Sequence, residues 1–302
     1  MALRRARGAP AGPPLWPQSP DPAGTAFDHG YTRAMNDGAI VHFDQFYPPL
    51  DKHFDVDAHP TPEGVAVYFQ DVTDRKRAER ERELVSEVLR LLNAATERRE
   101  LIRSILACLR QWTGLEAVGI RLREGEDFPY YETTGFPEAF VEQENTLCAR
   151  DDDGELLRDP QGVPPLECMC GNVIRGRSVP ARPYYTDLGS YWSNDTAEFL
   201  ATTSEADRPG PVRGRCHGGS YESIALVPMR ADGGTFGLLQ FNDRRPGRFT
   251  PESIALYERL AGHVANYLAR IRAEEQRRKS EEELRVLNEE LERRVADRTA
   301  QL

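Results

Sequence analysis

Tyr221-Glu222-Ser223-Ile224-Ala225-Leu226-Val227-Pro228-Met229 is a mainly apolar run ending just past a proline, and Gly237-Leu238-Leu239-Gln240-Phe241 follows it across Asp232-Gly233-Gly234. Asp-Gly supplies the positive φ that a tight hairpin needs, so the segment reads as two antiparallel strands over 222–230 and 235–242. Phe249-Thr250-Pro251-Glu252 then opens a helix: Thr250 can cap, Pro251 fits the first turn and Glu252 suits the positive helix end. Ile254, Tyr257, Leu260, Ala261, Val264, Leu268 and Ile271 form its apolar stripe.

Beyond Gly262 no Gly or Pro interrupts the chain, so this helix is expected to run to Leu302, longer than one small domain can cover. Leu284, Leu287, Leu291, Val295 and Leu302 recur at 3, 4, 4 and 7 residues, as in a parallel coiled coil. Upstream, Leu84, Val88, Leu91, Leu92, Ile102, Ile105, Leu106 and Leu109 predict one helix from about Arg75 to Trp112, with strands after it at 116–123 and 128–134. Cys108 lies on the apolar face of that helix and reads as core. Between the two strand pairs, 137–220 is a long polar stretch of the kind that carries function.

The first 30 residues carry Pro at 10, 13, 14, 17, 20 and 22 and read as disordered. Alternation over 39–47, 54–58 and 65–71 predicts three antiparallel strands, with a turn at Pro62-Glu63-Gly64. A formal charge of −10 argues against a nucleic-acid partner. No stretch approaches the roughly 18 apolar residues that span a bilayer, and the Pro-rich start lacks a signal-peptide core, so no membrane is expected and the expected address is the cytoplasm. Five cysteines, an odd number, point to free thiols, metal ligands or buried structural cysteines and away from a disulfide framework.

The order helix, two strands, long insertion, hairpin and exit helix, with the stretches at 221–229, 237–241 and 249–252, resembles a GAF domain over about 85–272. Asp71-Val72-Thr73-Asp74-Arg75-Lys76 resembles the last strand of a PAS domain meeting its exit helix, and too few residues precede it for a whole PAS domain. Leu284 to Leu302 is similar to the connector before the dimerisation helices of bacterial sensor histidine kinases. These resemblances imply an α+β chain: disordered 1–30, the C-terminal part of a PAS domain at 31–74, a connector helix at 75–92, a GAF antiparallel sheet with flanking helices at 93–272, and a signalling coiled coil at 273–302. They also imply a homodimer through the N- and C-terminal helices, a small-molecule ligand, and a histidine-kinase or response-regulator output. No phosphoacceptor His box or Gly-rich ATP-binding box occurs in the sequence, so the expectation is a sensor and not an enzyme.

Cys148, Cys168, Cys170, Cys216 and His217 lie in or beside the insertion. Cys168 and Cys170, one residue apart, place both sulfurs on one face of an extended segment. Three readings stand: buried small hydrophobes, ligands of a zinc or iron ion, or redox-active thiols. Cys170-Gly171, and Cys216 ahead of Glu222-Ser223-Ile224, are similar to regions of the GAF-type free methionine-(R)-sulfoxide reductases. That resemblance implies thiol chemistry at the matching cysteines and, as the alternative function, such a reductase. Here Cys148 stands farther away and His217 replaces an Asp. Cys168, Cys170 and Cys216 are expected at one site beside the pocket. Tyr185, Asp187, Ser190, Tyr191, Trp192 and Asn194, with Tyr184, make an aromatic and polar cluster able to wall a ligand pocket, and Arg150, Arg175 and Arg177 are candidates to meet an anion.

Overall fold

The computed structural model describes residues 2–6, 26–62, 64–94, 97–151, 153–178, 182–204 and 213–300, in two units that divide between Glu83 and Leu84. The first unit contains β1 (Ala2–Ala6), α1 (Ala26–Asp37), β2 (Val41–Tyr47), β3 (Lys52–Thr61) and β4 (Gly64–Asp71), paired antiparallel in the order β1-β4-β3-β2. Period-two alternation gathers Val56, Ala58, Val65 and Val67 with Phe27, Tyr31 and Ala34 of α1. Gly30 permits this approach, since a Cβ there would lie 2.3 Å from the Phe43 ring. The expected disorder of residues 1–30 is corrected at both ends, by β1 pairing with β4 and by α1; the prolines between them lie outside the described residues, as does Glu63 of the expected turn.

Asp71 ends β4 and starts the next helix, α2 (Thr73–Leu92). One Asp71 oxygen accepts from the Thr73 backbone N–H (3.0 Å) and hydroxyl (2.6 Å), while the other accepts from Lys52 Nζ at 2.6 Å. The Lys52 bond, then those from Thr73, hold the Asp71 carboxyl well below the usual carboxylate range.

The second unit continues with α3 (Arg98–Thr113), β5 (Ala117–Leu122), β6 (Tyr130–Thr134), α4 (Glu138–Glu144), α5 (Cys168–Ile174), β7 (Tyr191–Ser193), α6 (Thr196–Thr202), α7 (Arg215–Gly218), β8 (Ser223–Ala231), β9 (Gly234–Asp243) and α8 (Pro251–Ala300). Its antiparallel sheet has the order β6-β5-β9-β8-β7. Asp232 and Gly233 take φ of 51° and 73°, the left-handed pair that a right-twisted two-residue hairpin requires. The single helix expected over 75–112 is two: the Asn93 side chain bonds back to Leu89 O (2.8 Å), and Glu97 caps a new start by accepting from Arg99 and Glu100 N–H.

Strand alternation divides the sheet cleanly. Val118, Ile120, Ala225, Val227, Met229, Leu239 and Phe241 face the helical core, which includes Leu84, Val88, Ile102, Ile105, Leu260 and Val264. Phe241 stacks on Tyr257 of α8 at 4.2 Å. The opposite face, with Ile224, Leu226 and Leu238, is covered by the insertion. Past Ala269 the helix α8 leaves this core, and Leu284, Val286, Leu287, Leu291 and Val295 are exposed. No described helix is long and apolar enough to cross a membrane.

Candidate functional site

The insertion lays α5, which is buried throughout, against the sheet face that carries Ile224, Leu226 and Leu238. Gly171 makes that seating possible: a Cβ there would lie 2.6 Å from the Leu166 carbonyl. Cys168 and Cys170 are thereby turned to a pocket of about 40 Å³, which Cys216 of α7 also lines, with Tyr191, Phe199, Ile224 and Leu226 among the other walls. Such a volume accommodates water-sized or peroxide-sized groups. Arg213 fixes the approach to α7, donating through Nε to Glu167 Oε2 (2.8 Å) and through Nη1 to Thr146 O (2.7 Å).

The three sulfurs share polar partners. Gln240 bridges two of them, its Oε1 lying 3.9 Å from Cys170 Sγ and its Nε2 4.0 Å from Cys216 Sγ. The neighbouring Cys170 side chain, against burial, lowers the Cys168 thiol below its ordinary value; backbone N–H groups of Arg213 and Met169 act in the same direction. The Cys168 side chain, followed by burial, raises Cys170 well above an ordinary thiol. Burial pushes Cys216 up, opposed by Asn242 and Arg121. Cys168 takes a φ of 65°, an uncommon conformation for a side-chain-bearing residue.

Beneath the pocket lies a buried arginine that sequence reasoning missed. Arg121 of β5 donates to Phe128 O (3.0 Å), Asn145 O (3.1 Å) and Glu144 O (2.6 Å), and stands 3.6 Å from the Tyr130 ring centre. Tyr130 in turn donates to Gln240 Oε1 at 2.9 Å. Arg121 Nε and Asn242 Nδ2 find no hydrogen-bond partner among the described residues. The guanidinium favours thiolate at both Cys170 and Cys216, but burial and the neighbouring Cys168 outweigh it and hold both thiols up. The available signal was an Arg within the apolar Ala117-Val118-Gly119-Ile120-Arg121-Leu122, and Gln240 and Asn242 at alternate positions of β9.

The other predicted site residues divide. Cys148 does not line the pocket; its N–H donates to Asp127 Oδ1 (3.2 Å), its Sγ to Glu126 O (3.6 Å), and burial, then Asp127, pushes its thiol up to about 11. The side chain of His217 lies outside what is described. Among the described residues no group of three or more His, Cys, Asp and Glu is arranged to hold a metal ion, so zinc or iron gains no support from the geometry. The aromatic cluster does not form one wall. Tyr191 lines the cysteine pocket and Tyr185 packs beside it at 5.9 Å between ring centres. Trp192, one residue on, turns to the helical core. Asp187 is exposed, Ser190 bonds to Glu258, and Asn194 straps the entry of α8 through the Phe249 backbone N–H and carbonyl (both 2.8 Å). Arg150 and Arg175 bond to the carbonyls of Gly154 and Pro164, and neither these nor Arg177 lines the cysteine pocket.

The family model described as GAF domain matches residues 97–268, more than half of the chain. The chain therefore belongs to the GAF domain family, a general class of sensory module. The first unit lies outside that match, and nothing found identifies it as part of a PAS domain. No curated protein matches by sequence. Similar solved structures include the GAF domain of a phosphoenolpyruvate-protein phosphotransferase from Coxiella burnetii (16% identity over 66% of this chain and 98% of that chain, TM-score 0.44). A second is the domain of a two-component sensor histidine kinase protein of Sinorhizobium meliloti (14%, 61% and 99%, TM-score 0.40). A third is free methionine-R-sulfoxide reductase of Neisseria meningitidis with its substrate (15%, 62% and 87%, TM-score 0.40). The expectation that the chain is not an enzyme is corrected here. Several similar structures are such reductases, and missing kinase boxes bear on phosphotransfer alone.

Proposed function

We propose that this chain is a sensory GAF module, cytoplasmic and dimeric, that reads a thiol-reactive small molecule at Cys168, Cys170 and Cys216 and passes the result along α8 to a histidine-kinase-type output. The observation that carries this reading is the convergence of three cysteines on one small pocket. Redox-active thiols need a partner thiol, and here Cys168 and Cys170 stand one residue apart with Cys216 on the same pocket, while Arg121 favours charge on Cys170 and Cys216. The route for the signal is supported by Ser190 and Thr186, which bond to Glu258 of α8 beside the pocket residue Tyr191. The test is free-thiol counting before and after mild hydrogen peroxide, with a dithiol reductant added last. Loss and recovery of thiols in pairs is expected; an unchanged count overturns the reading.

A second reading is supported by two stretches, Cys170-Gly171 and Cys216 ahead of Glu222-Ser223-Ile224, which resemble the free methionine-(R)-sulfoxide reductases and whose cysteines both line the pocket. Steady consumption of free methionine-(R)-sulfoxide with a thiol reductant would favour this reading.

A further inference from the structure

We propose that the first disulfide formed at this site joins Cys168 to Cys170, leaving Cys216 a free thiol, and that Cys168 is the sulfur that meets the oxidant. The inference rests on the thiol chemistry proposed above and specifies its pairing. It departs from the sequence resemblance, which matched Cys170 and Cys216 and gave Cys168 no part.

Three observations select the pair. Cys168 and Cys170 line the same pocket from one short helix, whereas Cys216 meets Cys170 across the Gln240 amide. A single intervening residue keeps the two Cα atoms within about 7 Å even in an extended chain, the outer limit for a disulfide, and the turn of α5 brings them closer. Cys168 also receives the backbone N–H groups of Met169 and Arg213, which stabilise charge on its sulfur, and its φ of 65° turns it out of the regular path of α5. Cys216 lacks this arrangement and is turned to the amides of Gln240 and Asn242.

With a hydroperoxide as oxidant the step balances. The Cys168 thiolate attacks the terminal peroxide oxygen; an S–O bond forms, the O–O bond breaks, and the departing alkoxide or hydroxide takes a proton. Cys168 is then a sulfenic acid. Cys170 gives up its proton and attacks the Cys168 sulfur; the S–S bond forms, the S–O bond breaks, and the hydroxyl leaves as water. Two thiols and one hydroperoxide yield one disulfide, one alcohol or water, and one water. A ring closed over one residue is strained, so a dithiol should reopen it readily.

Tryptic cleavage after Arg158, Arg175, Arg215 and Arg230 places Cys168 and Cys170 in peptide 159–175 and Cys216 in peptide 216–230. The full chain is treated with hydrogen peroxide, alkylated under denaturing conditions, digested and weighed. The expected result is peptide 159–175 lighter by two hydrogens and unalkylated, with peptide 216–230 alkylated. Cys216→Ser should leave this unchanged. Cys168→Ser should abolish it, and Cys168→Gly, which relieves the positive φ and so should fold, guards against loss by misfolding. A cross-link between the two peptides overturns the pairing while the thiol reading stands. No oxidation of any cysteine overturns both.

Discussion

The Ser190 hydroxyl donates to Glu258 Oε1 at 2.6 Å, and the Thr186 hydroxyl donates to the same oxygen at the same distance. The loop that delivers Tyr191 to the cysteine pocket is thus bonded to the helix that leaves the domain. Glu258→Ala removes a carboxylate accepting two bonds and should cost about 2 kcal/mol in urea unfolding, with Ser190→Ala costing about 1. In Glu258→Ala, peroxide should still consume thiols while its effect on amide exchange along α8 disappears. Wild-type stability, or an intact α8 response, would remove this link from the signal path.

Arg121 holds three backbone carbonyls inside the protein. Arg121→Met leaves those carbonyls unpaired and should destabilise by about 3 kcal/mol, and Arg121→Lys should fall between, because an ammonium cannot reproduce the guanidinium fork. Denaturant midpoints of the three proteins decide it. Equal midpoints for parent and Arg121→Met would show that the buried charge has no structural part.

Gly171 sits where a methyl group would collide with the Leu166 backbone, 2.6 Å away. Backbone cannot rotate aside, so Gly171→Ala should cost about 1–3 kcal/mol and displace α5. Cys168 and Cys170 should then react faster with a bulky alkylating reagent than in the parent. An unchanged thermal midpoint and unchanged alkylation would contradict the close seating of α5.

Much of this was legible because its determinants are local. Asp232-Gly233 declares a hairpin and Thr250-Pro251 a helix start. The Cys168-x-Cys170 spacing, a shared face in an extended segment, is corrected: both lie on the helix α5, where alternate residues share no face, and Cys168 reaches the pocket with a φ of 65° at its first position. Arg121 was not legible: an arginine on an apolar strand is exposed or buried according to what covers that face, here segments near Phe128 and Glu144. The bond between Tyr130 and Gln240 joins positions 110 residues apart, beyond any local pattern. The break between α2 and α3 involves no Gly or Pro at the described positions and depends on side-chain bonds by Asn93 and Glu97. Tyr191 and Trp192 looked alike as aromatics, and strand alternation sends them to opposite faces.

Leu284, Leu287 and Leu291 are all exposed on a helix that carries Arg285–Glu289 and Arg294–Glu290 pairs. An apolar stripe flanked by such charges suits a second copy of the same helix. Leu287→Asp with Leu291→Asp should weaken self-association at least tenfold in sedimentation. An unchanged association constant would overturn this stripe as a contact between copies.

Cys168 carries the last prediction, because its lowered thiol sets a pH at which the pocket becomes reactive. Only the thiolate is nucleophilic, and its fraction rises with pH. With the thiol lowered, Cys168 should reach half of its full reactivity at a pH below the ordinary thiol value of about 8.5. Cys170→Ala takes away the polar side chain that is the largest cause of the lowering at Cys168, while burial continues to favour the neutral thiol. The midpoint should therefore move upward in this variant, toward or beyond the ordinary thiol value of about 8.5. Cys170→Ser keeps a hydroxyl donor and should retain most of the lowering. The measurement is the rate of alkylation at Cys168 by a small reagent across pH, with the labelled site located in peptide 159–175. A parent midpoint above about 8.5 would show that Cys168 is an ordinary buried thiol. A low midpoint that Cys170→Ala leaves in place would assign the lowering to the Met169 and Arg213 backbone and not to Cys170.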